Sequence, residues 1–152
     1  MATEWSLTRR IHSVARYLDD HDFDAFLACL REDGEYLITA QSPELGKKMT
    51  WMRLGRGELA ERLAAIEKHE WAIASMEQSR VLSVDTIEVN EESARTSSGF
   101  ALYHTDEAGV SCLYVVGRYE DDWLKIGKEW HLSRREVVLK TRQLDVLSPL
   151  PI

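Results

Sequence analysis

Cysteine, positive charge and long apolar runs are all scarce in this chain of 152 residues. Two cysteines, Cys29 and Cys112, are too few for a scaffold held together by disulfides. Because both lie in apolar runs and no secretory segment precedes them, we expect reduced, buried thiols in a cytoplasmic protein. No apolar run approaches about 18 residues, so we expect no membrane-spanning helix.

The shortage of positive charge argues against a protein that binds nucleic acid. Lys and Arg number 19 against 26 Asp and Glu, which gives a net charge of −7 and a pI near 5.2. A surface that binds nucleic acid needs clustered basic side chains to neutralise phosphates. The compact basic pairs, which begin at Arg9, Lys47 and Arg134, are each flanked by acidic or apolar residues. We therefore expect no nucleic-acid partner.

Local catalytic motifs are also missing. The chain has no Gly-rich phosphate loop, GxSxG elbow, CxxC pair or HExxH helix, and its five histidines show no metal-ligand spacing. A site assembled from distant side chains stays open, because such a site leaves no local motif. Its candidate members are Tyr17, Asp33, Tyr36, His69, His104 and Tyr114.

The sequence does contain the patterns of three amphipathic helices. Apolar residues recur at helical spacing over residues 4–19, 23–32 and 57–67. We expect Asp22 to cap the second helix and Gly34 to stop it. A short strand is predicted over residues 35–40, and Trp51 belongs either to another short strand or to a plug.

The second half of the chain has the sequence pattern of β-strands. Strands are predicted over residues 80–88, 100–104, 111–118 and 129–140, joined by short polar turns. The last two form an antiparallel hairpin, and the opposite charges of its two arms, from Arg118 to Glu136, should pair and fix its register. If exposed, each pair contributes only about 0–1 kcal/mol. Helices followed by long strands predict a single α+β domain over residues 1–152, with about three helices on a strongly curved antiparallel sheet.

The hairpin also carries a family resemblance. The runs GRYEDDWLK (residues 117–125) and LSRREVVL (132–139), with Trp130 between them, resemble the C-terminal hairpin of the small (beta) subunits of Rieske-type aromatic-ring-hydroxylating dioxygenases. The ending at residues 147–152 and the stretch at residues 17–38 are similar to that family as well. Lys140 and Gly99 depart from the acid and the Asn that are frequent there.

This resemblance implies an NTF2-like (SnoaL-like) cone and a non-catalytic structural role. The chain would form a trimer and join three catalytic alpha subunits in a three-alpha three-beta assembly. A [2Fe–2S] Rieske cluster and a mononuclear non-haem iron would belong to the alpha subunit. The present chain would hold no cofactor, metal or catalytic residue, since a Rieske cluster needs two Cys and two His ligands.

Two alternatives remain open from the sequence. The chain could be a free-standing NTF2-like isomerase, cyclase or dehydratase acting on a small hydrophobic substrate, or a ligand-binding adaptor. A deep open cone with an ionisable residue at its base would favour an enzyme. A cone filled by side chains would favour the scaffold.

Candidate subunit contacts come from five tryptophans, paired arginines and an apolar ending. Tryptophan at element ends is common in subunit interfaces. The ending at residues 147–152 has two prolines and cannot form a regular helix, so we expect it in a groove of its own sheet or of a neighbouring subunit, or else frayed. The interface candidates are Trp51, Trp71, Trp123, Trp130, Arg118, Arg134, Leu150 and Ile152.

Overall fold

The structure, a computed structural model, describes residues 2–69, 76–144 and 150–152. This part of the chain contains three helices and six strands. The helices are α1 (Ala2–Asp19), α2 (Phe23–Cys29) and α3 (Arg56–Lys68). The strands are β1 (Leu30–Ser42), β2 (Lys47–Gly55), β3 (Glu77–Val89), β4 (Ser93–Thr105), β5 (Ser111–Ile126) and β6 (Glu129–Leu139).

All six strands belong to one sheet, in the order β2-β1-β6-β5-β4-β3. Every neighbouring pair is antiparallel except β1 and β6, which run parallel. The predicted hairpin is confirmed as β5 and β6, with Asp121 opposite Arg135. Its turn needs Gly127, whose φ of +62° lies in the left-handed region that glycine adopts at little cost. The sequence therefore predicted the centre of the sheet correctly.

The helices cover one face of this sheet. Helix α1 lies against β3, and α3 lies against β1. The apolar stripe predicted for α1 is its buried side, from Leu7 to Leu18. Asp22 caps α2 as predicted, because its carboxylate accepts a hydrogen bond from the Ala25 N–H at 3.2 Å. The core therefore lies between the helices and the inner face of the sheet.

The first strands differ from the prediction. Helix α2 ends at Cys29, and Gly34 lies inside the 13-residue strand β1 rather than at a helix end. A Cβ at Gly34 would lie 2.7 Å from the Leu30 side chain, so glycine serves close packing here. Of the two possibilities stated for Trp51, the strand is confirmed, and this edge strand β2 is longer than expected at nine residues.

The two cysteines also differ from each other. Cys29 is buried as predicted, and burial raises the pKa of its thiol. Cys112, predicted to be buried, is exposed because the first three residues of β5 extend beyond the covered part of the sheet. Both thiols are free in the part of the chain that the structure describes.

Candidate functional site: the interior of the cone

Tyr119 of β5 lies at the centre of the inner face. Its ring stacks on Phe100 of β4 with 4.2 Å between the centroids. The Arg135 guanidinium carbon lies 4.1 Å from the centroid of the same ring, within cation–π range. The Nε of Arg80 donates to the Tyr119 hydroxyl at 3.1 Å. Side chains from four strands, β3 to β6, thus meet at one aromatic ring.

A buried ion pair lies beside this ring. Arg135 donates from Nε and Nη2 to the two carboxylate oxygens of Asp121, each at 2.8 Å, and the side chains are 2% and 0% exposed. Burial by itself would lower the pKa of Arg135, but the Asp121 carboxylate outweighs it and holds that pKa above its ordinary value. The pairing was predicted and its burial was not. Tyr119 and Trp123, two residues to either side of Asp121 on the same strand face, are the signal that could have revealed it.

A second ion pair joins the sheet to α1. The buried side chain of Arg80 pairs with Asp19, the last residue of α1, and the Arg80 backbone N–H donates to the same carboxylate at 3.0 Å. Sequence reasoning missed this pair, because 61 residues separate its members. It fixes the end of α1 on β3, and each of the two buried guanidinium groups faces one carboxylate.

Residues 150–152 lie inside the cone, against this network. The Tyr36 hydroxyl donates to the carbonyl oxygen of Ile152 at 2.8 Å, and Arg80 Nη2 donates to that of Pro151 at 2.6 Å. Leu150 and Ile152 are both buried. Burial raises the pKa of Tyr36. The expectation that the ending lies in a groove of its own sheet is confirmed for these three residues, while residues 147–149 lie outside the described part of the chain.

An apolar cavity of about 240 Å³ remains beside this segment. The described residues that line it include no carboxylate and no imidazole, and the Tyr36 hydroxyl is already bound to Ile152. The lining comes from β1, β2, α3, β5 and the end of the chain. It consists of Tyr36, Ile38, Trp51, Met52, Leu59, Arg62, Leu63, Ile66, Tyr114, Leu144, Leu150, Pro151 and Ile152.

The structure brings together only part of the predicted catalytic set. His104 stacks on Tyr114 with 4.0 Å between centroids. Burial, and then the charge of Arg80, lower the pKa of His104. Tyr36 and Tyr114 line the same cavity.

The other three candidates lie elsewhere. Tyr17 is on α1, Asp33 is an exposed residue of β1 that pairs with Arg31, and His69 follows the end of α3. Gln78, which sequence reasoning missed, places its Nε2 3.2 Å from His104 Nε2. Gln78 could orient the His104 imidazole. Within the described residues, however, His104 has no carboxylate partner that would help it to act as a general base.

The part of the chain that the structure describes assembles no metal-binding cluster. Across residues 2–69, 76–144 and 150–152, no cluster of three or more His, Cys, Asp or Glu side chains could hold a metal ion. Among the same residues, no helix is long and apolar enough to cross a membrane.

The predicted interface residues separate into buried and accessible ones. Trp123 and Trp130 are buried inside the chain, where the Trp123 Nε1–H donates to Thr96 Oγ1 at 2.9 Å. Leu150 and Ile152 are buried in the single chain as well. A role of these four side chains in subunit contacts stays a prediction, although each already packs inside its own chain.

Three interface candidates do reach the surface. Trp51 is 46% exposed. Arg118 and Arg134 are partly exposed and carry ion pairs, Arg118 with Asp85 and Glu120, Arg134 with Glu35 and Glu136. Their role in contacts stays a prediction. Trp71 lies outside the described residues.

Solved structures share this architecture. A β subunit assigned to an aromatic-ring-hydroxylating dioxygenase of Novosphingobium aromaticivorans superposes with a TM-score of 0.84 at 19% identity, over 99% of this chain and 97% of that chain. The β subunit of benzoate 1,2-dioxygenase from Burkholderia mallei gives 0.72 at 17% identity, over 88% of each chain. An NTF2-like protein with a cystatin-like fold from N. aromaticivorans gives 0.67 at 19% identity, over 92% and 83%. The fold is therefore an NTF2-like cone, here with its interior filled.

Sequence comparison then identifies the family. The chain is 28% identical over 147 residues to the beta subunit of 2-aminobenzenesulfonate 2,3-dioxygenase from Alcaligenes sp., covering 97% of both chains. It is 29% identical over 153 residues to the hydroxylase beta subunit of methanesulfonate monooxygenase from Methylosulfonomonas methylovora, covering 93% and 83%. The profile of the ring hydroxylating beta subunit family matches residues 14–146. This chain belongs to that family.

Proposed function

We propose that this chain is the non-catalytic, structural subunit of an aromatic-ring-hydroxylating dioxygenase. The filled cone is the observation that supports this role most directly. The remaining cavity has no carboxylate or imidazole among its described lining residues, and the hydroxyl of Tyr36, which lines it, already donates to Ile152. A free-standing isomerase or dehydratase would need an acid or base in this cavity, so the scaffold is the better reading.

The partner in this proposal is a catalytic alpha subunit. It would hold the [2Fe–2S] cluster and the mononuclear iron, for which the described residues of this chain offer no ligand set. Three copies of this chain would form a trimer that positions three alpha subunits. Both curated relatives carry the word "beta" in their subunit names, which supports a multi-subunit complex. Choice of substrate would rest with the alpha subunit, and we place the complex in the cytoplasm.

The outer face of the sheet supplies a surface for assembly. Val81, Tyr103 and Leu113, on β3, β4 and β5, are 63%, 37% and 50% exposed. Tyr103 lies directly opposite Leu113, and Val81 lies opposite Ala101, two residues before Tyr103, so the three side chains share one face. We call these three residues the outer patch. Exposed apolar side chains that lie together on one face are typical of interaction surfaces, which supports a role of this patch in assembly.

Co-expression tests the proposal. The chain is produced alone and together with a Rieske oxygenase encoded beside it, and the two preparations are compared for composition and oxygenation. We expect co-purification in equal numbers of subunits, with oxygenation only when the Rieske protein is present. A chain that remains a monomer beside its Rieske neighbour, or that turns over a substrate alone, would contradict the proposal.

A further inference from the structure

Residues 150–152 are held in the cone as a ligand would be held. The segment buries the aliphatic side chains of Leu150 and Ile152, while its two consecutive carbonyl oxygens, from Pro151 and Ile152, accept hydrogen bonds from Arg80 and Tyr36. Apolar burial provides affinity, and the two directed hydrogen bonds fix the orientation of the segment.

The two donors come from distant parts of the sheet. Tyr36 is on β1 and Arg80 on β3, with β6, β5 and β4 between these strands. Curvature of the sheet brings both donors to one peptide segment. Each donor is itself fully enclosed: Tyr36 is 1% exposed, and the Arg80 side chain is 0% exposed and also held by Asp19 and Tyr119. The site is thus built into the folded domain rather than formed at its surface.

The buried arginines around the segment have counter-charges within the domain. Asp19 already faces Arg80, and Asp121 already faces Arg135, so neither buried guanidinium lacks a counter-charge. The polar groups that meet the segment are one N–H of Arg80 and the Tyr36 hydroxyl, which donate to its backbone oxygens. Pro151 brings a backbone acceptor and has no N–H, so this residue leaves no donor to be paired inside the site.

We propose that the cone contains a binding site for a short, apolar, proline-containing peptide, and that residues 150–152 fill this site in cis. The apolar cavity of about 240 Å³ extends it, since Leu150, Pro151 and Ile152 all line that cavity. The segment acts as an exchangeable internal ligand, and its removal leaves a site that takes the same peptide in trans. This inference does not depend on the proposed function.

A variant lacking residues 150–152 tests the inference. The peptide acetyl-Ser-Pro-Leu-Pro-Ile, which copies residues 148–152, is titrated into the variant and into the intact chain by calorimetry. We expect saturable binding to the variant and none to the intact chain, whose site is filled. At a peptide concentration one hundred times Kd, Tm of the variant should rise by roughly 5–10 °C. The control peptide acetyl-Ser-Pro-Ser-Pro-Ser should not bind.

A point substitution then tests the binding mode. Tyr36→Phe in the shortened chain removes one hydrogen bond to the peptide and should raise Kd about five- to tenfold. The matched control is Tyr103→Phe on the outer patch, which should leave Kd unchanged. If the shortened chain does not fold alone, peptide present during refolding should restore its native circular dichroism. A folded variant that ignores the peptide, equal binding by the intact chain, a Kd unchanged by Tyr36→Phe, or failure of the peptide to rescue refolding would each overturn the proposal.

Discussion

At the scale of single residues, two neighbouring aspartates of β5, Asp121 and Asp122, carry the same charge but differ in burial. The β5–β6 hairpin places Asp122 opposite Arg134, and Asp122 pairs with Arg95 at the surface. Two adjacent aspartates of one strand therefore lie on opposite faces, one inside the cone and one in water. The contribution of each to stability follows from that difference.

We predict that Asp121→Ala destabilises the chain by about 3–5 kcal/mol, because it leaves the Arg135 guanidinium buried without a counter-charge. Asp122→Ala is the matched control and should change stability little, since an exposed ion pair is screened by solvent. Urea denaturation of both variants measures the difference. Similar losses for the two substitutions would show that the buried pair has no special role.

His104 gives a prediction for pH. Its folded-state pKa is lowered from the ordinary 6.5, first by burial and then by Arg80. The unfolded chain therefore binds this proton more readily than the folded one, so the contribution to stability is complete above about pH 6.5 and is lost as pH falls toward the lowered value. Gln78, Tyr114 and Arg80 are the groups that surround the ring.

We predict that His104→Gln flattens the fall in unfolding free energy between about pH 7 and 5, compared with the unsubstituted chain. Denaturation at a series of pH values measures this slope. His21, whose pKa is also lowered, first by burial and then by the charge of Arg80, should account for part of the slope that remains. An unchanged slope in the His104 variant would contradict the assignment.

At the scale of elements, the sequence predicted those whose patterns are strong and local. Helix α1 shows a clear apolar stripe, and the β5–β6 hairpin has a Gly-containing turn between apolar runs, so both were found. Strand β2 was predicted only as one of two possibilities at Trp51 and without its full length, because Lys, Thr and Arg interrupt its apolar residues. Gly34 was read as a helix stop because glycine serves both helix ends and close packing, and only tertiary contacts separate these two uses.

A pair of glycine substitutions tests this reading of Gly34. A Cβ there would lie 2.7 Å from Leu30 side-chain atoms and 2.8 Å from the Arg31 carbonyl oxygen, so we predict that Gly34→Ala destabilises by about 1–3 kcal/mol. At Gly57 in α3 no atom lies within 4 Å of such a Cβ, and Gly57→Ala should be neutral or stabilising by up to about 1 kcal/mol. Thermal unfolding of both variants measures the contrast. A Gly34 variant as stable as the Gly57 variant would show that this packing is not tight.

At the scale of the whole molecule, the cone encloses residues 150–152, while the outer patch lies exposed on the opposite face of the sheet. The inside could be predicted only in part: the sequence indicated that the ending packs on its own sheet or on a neighbour, but not that Tyr36 and Arg80 would meet it. Those two contacts span 116 and 71 residues, and no local pattern records separations of that size. The outer patch was likewise hidden, because the face toward which Leu113 points depends on the register shift between β4 and β5 beside Tyr103.

A substitution in the outer patch gives the most direct test of the proposed scaffold role. Leu113→Asp places a charge where an apolar contact between subunits would exclude water, so it should weaken self-association or binding of the alpha subunit by at least tenfold. The fold should survive, because Leu113 is already 50% exposed in the single chain. Leu45→Asp, at a position 60% exposed in the β1–β2 turn, is the matched control and should assemble normally. Light scattering after size-exclusion chromatography measures both variants. Normal assembly of the Leu113 variant would exclude this face of the sheet as the assembly surface and direct attention to Trp51, Arg118 and Arg134.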